Sequence, residues 1–314
     1  MKVVASLARA AAAFDRWVCE PVDPRPLALF RAWFGVLCLV NLWLLWPDMP
    51  MWLGNDGVLP PAVHRDMVAG TRLTVYLVTG YSDAAIWIIR GLGLAGGIGL
   101  ALGILPRCAA VCTWLAFGSY AWRNLDILHS GDNLFRIGAF FLIFAPAGGP
   151  SVFRAVVRRL QARRGVTPPA ADEPAAAWPQ RILQLQLCVL YVVTGIWKAS
   201  GASWRDGTAV GTVLQLGEFQ RFPLPDFLLT PFMSQVLTYG TLLFELGFPV
   251  LVWIPSLRLP VLLCGLAFHL GLDYAVNVQL FQWVITAYYL LFLPCGSRPT
   301  AGQPLAAGFL RSQV

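Results

Sequence analysis

Charge is scarce in this chain, and lysine is nearly absent. Of 314 residues 12% are charged and 57% hydrophobic, with mean hydropathy +0.64, three histidines, and lysine only at Lys2 and Lys198. A soluble surface needs far more polar side chains, so a water-soluble globular fold is excluded. The seven cysteines, at 19, 38, 108, 112, 188, 264 and 295, include no CxxC pair. That argues against a disulfide framework or a zinc site, and no metal is expected. Strict alternation of apolar and polar residues is missing as well, which excludes a transmembrane barrel.

What is present is a series of apolar runs of membrane length, and the class they predict is all-α. The expected architecture is a polytopic helical bundle of about eight transmembrane helices without a large soluble domain. The spans read as 27–47, 84–105, 108–125, 133–146, 182–200, 231–254, 257–275 and 280–294. Residues 1–26 form an N-terminal segment. Its Lys2, Arg9 and Arg16 recur every seven residues, with Val3, Leu7, Phe14 and Val18 on another face, as in a helix lying at lipid headgroups. Residues 27–150 hold the first four spans and 180–295 the last four. Between them, 151–179 is expected to be a flexible linker, first basic (RAVVRRLQARRG) and then rich in Pro and Ala; residues 296–314 are a tail.

The net charge of +7 comes from arginines concentrated in short loops, a sign of membrane topology rather than of nucleic-acid binding. With the N-terminus inside, fourteen basic residues fall in inner segments against Arg65, Arg72, Arg205 and Arg221 outside. The expectation is a multi-pass protein of the cell (inner) membrane with both termini cytoplasmic. In the second span, GLGLAGGIGLALG resembles a nucleotide-binding glycine loop but follows no strand. Its small residues, among them Gly93, Gly97, Gly99 and Gly103, are read as helix-packing positions.

Ionisable groups inside hydrocarbon are costly and mark partners or sites. With this topology Arg90, Arg123, Asn124, Asp132, Arg136, Lys198 and His269 gather at the outer depth. Gln184, Tyr191, Thr194 and Lys198 share one helical stripe, predicted to face the bundle interior. Asp273, one turn beyond His269, is placed to orient the imidazole; Asp132 and Arg136, one turn apart, are placed to pair. Glu245 lies deeper and is expected to pair with Arg31 or Arg90. Lys198 has two readings, a snorkelling charge near its helix end or a base. Arginine keeps its proton in any protein, whereas a desolvated lysine can release one, and topology here is served by arginine.

The motifs RPLALFRAWFG, GLALGILPR, YAWRN, YVVTGIWKASGASWRDG and LAFHLGLDYAVNVQLFQW occur in order between Arg25 and Cys295. On these the chain resembles the HTTM (horizontally transferred transmembrane) family, vitamin K-dependent gamma-carboxylase-like. The resemblance implies that Lys198 is a catalytic base acting on a membrane quinol, a menaquinol or vitamin K hydroquinone, and that His269 assists. Arg123, Asn124, Asp132, Arg136, Tyr191, Thr194 and Asp273 are the expected pocket. The family motif has two adjacent lysines, and here the first is Trp197. No counterpart of the relatives' lumenal domain is seen in these residues, so the expected chemistry is quinol epoxidation and/or carboxylation of an unknown substrate. Two alternatives stay open, a non-catalytic membrane protein for maturation, export or binding of a peptide, and a transporter.

Overall fold

In the computed structural model, residues 2–67, 72–146, 149–164 and 175–294 are described. They form helices α1 (Lys2–Cys19), α2 (Arg25–Leu45), α3 (Met49–Leu53), α4 (Pro61–Met67), α5 (Tyr76–Thr79), α6 (Ala84–Leu102), α7 (Pro106–Arg123) and α8 (Ser130–Phe144). Then come α9 (Val152–Arg163), α10 (Trp178–Ser200), α11 (Ala202–Arg205), α12 (Ala209–Gln215), α13 (Pro231–Leu251), α14 (Pro255–Ala275) and α15 (Phe281–Tyr289), the last extended by a 3₁₀ turn to Phe292. The described residues are all-α but for a two-residue antiparallel pairing of Pro21–Val22 with Ala175–Ala176 and a single antiparallel bridge between Gln220 and Val276.

All eight apolar segments expected from the sequence are helical. Among the described residues four of the helices, α2, α6, α10 and α14, are both long and apolar enough to cross a membrane. Proline at the first or second position starts α2, α7, α10, α13 and α14, where its missing N–H costs nothing. The basic half of the supposed linker is not a flexible strand of chain. It is α9, capped by Ser151 Oγ, which accepts from the Arg154 N–H at 3.2 Å. The Pro/Ala-rich stretch at 165–174 and the tail at 296–314 lie outside the described residues.

Glycine decides how closely the first helices approach. A Cβ on Gly93 or Gly97 would stand 2.9 or 2.6 Å from side-chain carbons of Leu42 and Leu39 of α2. On the other flank, a Cβ on Gly96 would stand 2.7 Å from the Thr113 nitrogen, and one on Gly99 2.6 Å from Ala109 Cβ, both in α7. The α6 stripe is thus two interfaces, with Gly93 and Gly97 on α2 and Gly96 and Gly99 on α7. Gly103, at φ 74°, ends the helix instead.

The two groups of helices join through aromatic packing. Phe30 of α2 meets Tyr288 of α15 edge-on with centroids 4.9 Å apart. The Tyr288 hydroxyl donates to the Leu134 carbonyl at 3.0 Å. α15 therefore lies against α8 on one face and against α14 on the other. This puts its first turn at the junction of the polar clusters described below.

Candidate functional site

The stripe on α10 faces inward as its spacing predicts: Gln184 and Tyr191 are buried, Thr194 and Lys198 half-buried. Trp197 points elsewhere and is 76% exposed. Lys198 Nζ forms an ion pair with Glu245 Oε1 of α13. The Thr194 hydroxyl lies 3.3 Å from the other carboxylate oxygen and 2.9 Å from the Leu190 carbonyl. Glu245 is thus the partner of Lys198 and not of Arg31 or Arg90. Arg31 reaches the Pro150 carbonyl at 3.3 Å, while Arg90 reaches the Trp46 carbonyl at 2.5 Å and packs on the Trp46 and Trp87 rings.

The pair is unequal in exposure. The Glu245 side chain is 6% exposed and that of Lys198 30%, so the glutamate is the deeper partner. Gly195 allows this contact, because a Cβ there would come within 2.7 Å of Leu246 Cδ2 on α13. The Trp204 ring stands 5.4 Å from Nζ.

A second polar chain runs beside the first. The Tyr191 hydroxyl lies 2.6 Å from His269 Nε2 of α14 and 2.5 Å from the Tyr289 hydroxyl of α15. His269 Nδ1 meets Gln282 Oε1, and an amide oxygen can only accept, so the imidazole proton is on Nδ1. Nε2 is therefore the acceptor of the Tyr191 O–H in the neutral ring, and Tyr191 in turn accepts from Tyr289. Every member is buried, walled by Phe244 and Phe248 with centroids 5.7 and 4.7 Å from Tyr191. Gly265 makes room for the Tyr289 hydroxyl. Asp273 does not orient His269; its carboxylate binds Arg221 Nη1 at 2.7 Å, and Gln282 has the orienting place.

The remaining expected residues gather at the end of α7. Arg123, fully buried, donates from Nη2 to the carbonyls of Gly54 at 3.0 Å and Leu59 at 2.6 Å. Asn124 donates to the Trp52 carbonyl at 3.2 Å and accepts from the Asp126 N–H. YAWRN thereby ties the α3–α4 connection to the bundle. Asp132 and Arg136 do not pair. Asp132 accepts from the Tyr120 hydroxyl at 2.5 Å and from the His129 N–H at 3.0 Å, closing a capping box, and Arg136 donates to Asn133 at 3.4 Å.

Between these groups opens a cavity of about 710 Å³. Asp48, Asp126, Asp132 and Arg221 line it together with Leu280 and Trp283 at the start of α15. Leu280 and Trp283 face the cavity while Gln282 reaches back to His269, so one turn of helix separates the cavity from the imidazole. Neither Lys198 nor Arg123 lines it. Among the described residues no group of three His, Cys, Asp or Glu is placed to hold a metal ion.

Two features escaped the sequence. His64 was unremarkable there, yet it is buried between the Tyr81 hydroxyl, 2.8 Å from Nδ1, and the Trp122 carbonyl, 2.9 Å from Nε2. Gln282 and Tyr289 read as ordinary positions of an apolar helix. Only their spacing, seven residues apart and hence on one face, gave any sign.

A family model of the HTTM domain matches residues 73–296, which span the arginine–asparagine corner, the α10 stripe and the α14 histidine. The chain belongs to the HTTM family. No curated protein and no solved structure matches it. The HTTM match, with the apolar helices, makes it an integral membrane protein. The first-helix motif RPLALFRAWFG falls before the matched region.

Proposed function

We propose that this HTTM protein is a membrane enzyme in which Lys198 takes a proton from a reduced quinone, the vitamin K carboxylase-like chemistry that its motifs imply. In this reading eight helices cross the cell membrane, both termini are cytoplasmic, and Lys198 lies toward the outer face. The observation that carries it is the Lys198–Glu245 pair, a half-buried lysine backed by a buried carboxylate.

A base needs a lone pair, and an ammonium has none. Moving the proton from Nζ to Glu245 leaves a neutral amine beside a neutral acid, with no change in the net charge of the cluster. Thr194 adds a polar neighbour on the second carboxylate oxygen. The Tyr191–His269–Gln282 chain fixes the imidazole with its proton on the side away from Tyr191, leaving Nε2 able to accept one relayed through the tyrosine hydroxyl.

The residues suit a quinol in two respects. The Lys198 side chain is partly exposed with Nζ beside the flat Trp204 ring, and Glu245 is flanked on α13 by the exposed apolar side chains of Leu243 and Leu246. A bound reduced quinone would supply an acidic hydroxyl and, with oxygen, the oxidising chemistry. Lys198 and Trp204 are the groups that would hold it. The cavity beside Asp132 is then the place for a second substrate, within the size range of small-molecule sites.

The test is oxygen uptake by the purified protein with reduced menaquinone. Lys198→Met and Lys198→Arg should each lower the rate by about 100-fold or more, the usual worth of a positioned base. Uptake by Lys198→Met equal to wild type would end the proposal. A peptide-binding role, the alternative favoured by the acidic cavity, expects Lys198→Arg to keep full function.

A further inference from the structure

At the end of the bundle remote from Lys198, about 25 Å along α10 from Lys198 to Arg181, lies a smaller cavity of about 370 Å³. Val22, Asp23, Gln180, Arg181, Trp253 and Arg258 are among its walls, and each is at least partly buried. Its charge is unbalanced. Asp23 is gripped by Arg25, whose Nε and Nη2 reach it at 2.8 and 2.5 Å. Arg181 and Arg258 take part in no ion pair among the described residues, and Glu20 acts on Arg181 only from a distance.

Both arginines are nevertheless held in place. Arg181 donates to Gln184 Oε1 at 3.1 Å and lies over the Trp17 ring of α1 at 4.8 Å, while Arg258 Nε donates to the Val252 carbonyl at 3.2 Å. Arg181 Nε is buried without a partner, and the terminal nitrogens of Arg258 make no hydrogen bond among the described residues. Gln180 supplies an independent sign. It is 7% exposed; its Nε2 donates to the Leu291 carbonyl at 2.8 Å, and its buried Oε1 has no partner. Buried polar atoms rarely stay unpaired, and two of them, Arg181 Nε and Gln180 Oε1, belong to neighbouring residues that line this one cavity.

We propose that this cavity binds a phosphate ester bearing a free hydroxyl, the chemistry of a hydroxylated anionic lipid headgroup such as phosphatidylglycerol. Arg181 and Arg258 hold the phosphate, and the hydroxyl donates to Gln180 Oε1. An anion fits because Arg181 and Arg258 both line one small space and the carboxylate that shares its lining, Asp23, is already paired with Arg25. A hydroxyl is required because a carboxamide oxygen cannot bind the phosphate oxygens. Trp17 of α1 packs edge-on against Trp253, a wall of the cavity, with centroids 5.5 Å apart. Exposed Leu251, Ile254 and Leu257 flank Trp253 and Arg258 in sequence and offer acyl chains an apolar path.

The full-length protein in detergent would be titrated with phosphatidylglycerol, phosphatidic acid, phosphatidylcholine or glycerol 3-phosphate, with bound ligand counted by native mass spectrometry. Phosphatidylglycerol should bind tightest and phosphatidylcholine weakest. Arg258→Gln should weaken phosphatidylglycerol at least about tenfold, and Arg258→Lys, which keeps the charge, much less. Gln180→Met should erase the preference for phosphatidylglycerol over phosphatidic acid while leaving both bound. Glycerol 3-phosphate binding as tightly as the lipid would support the same site with a soluble ester as its ligand. Equal retention of all lipids, or phosphatidylglycerol affinity unchanged in Arg258→Gln, would overturn the proposal.

Discussion

Removing one member of the Lys198–Glu245 pair should hurt unequally depending on which member goes. In Lys198→Met the Glu245 carboxylate, 6% exposed, is left without its countercharge, and a stranded buried charge costs about 3–5 kcal/mol. In Glu245→Gln the stranded group is the lysine, whose side chain is 30% exposed and whose flexible stem can carry the ammonium to a polar region. That loss should be nearer about 1 kcal/mol, the scale of an exposed pair. The double variant Lys198→Met/Glu245→Gln has no charge to strand and should recover most of the stability lost in Lys198→Met. Equilibrium unfolding in mixed micelles of increasing denaturing detergent measures all four proteins. Equal losses in the two single variants, or a double variant as unstable as the sum of both, would refute the burial argument. The same four proteins in the oxygen assay separate stability from chemistry, because the double variant should fold well and yet be inactive.

His64, outside the spanning helices, predicts a pH dependence. Burial holds its pKa below the ordinary 6.5, aided by the Arg123 charge and opposed by its hydrogen bond to the Trp122 carbonyl. The unfolded chain therefore takes up a proton first, so stability is full above about pH 6.5 and falls as the pH drops below it; His64→Gln should flatten that slope in thermal melts. Gly96→Ala should cost about 1–3 kcal/mol, since a Cβ would meet the α7 backbone, whereas Gly91→Ala, with open space around it, should gain up to about 1 kcal/mol in the same unfolding assay. Tyr191→Phe removes a hydroxyl that serves both His269 and Tyr289 and should cost about 1–3 kcal/mol, with Gln282→Leu similar; neither change moving the midpoint would show that the chain is not formed.

The helices were legible because their cause is local. Runs of apolar residues, prolines at helix starts and the seven-residue spacing of Tyr191 and Lys198 each act within one segment, and in lipid a segment must satisfy its own backbone. Glycine packing was legible in kind but not in detail, since the sequence could not say which glycines face α2 and which α7. Reading pairs from one-turn spacing misplaced Asp132 and Asp273. Both lie at helix ends, where capping and a facing loop compete with the neighbour one turn away: Asp132 closes its cap and Asp273 meets Arg221.

The sequence by itself determined an all-helical integral membrane chain, the inward stripe of α10 and HTTM membership, for these follow from composition, period and motif. Tertiary structure alone decided the partners. Lys198 and Glu245 are 47 residues apart and Tyr191 and Tyr289 98 apart, so each contact depends on how one helix is rotated against another. That rotation is set by where glycines and aromatics let backbones close, as Gly195 does at Leu246 and Gly265 at Tyr289. It turned an isolated lysine into one half of a pair with a buried carboxylate behind it.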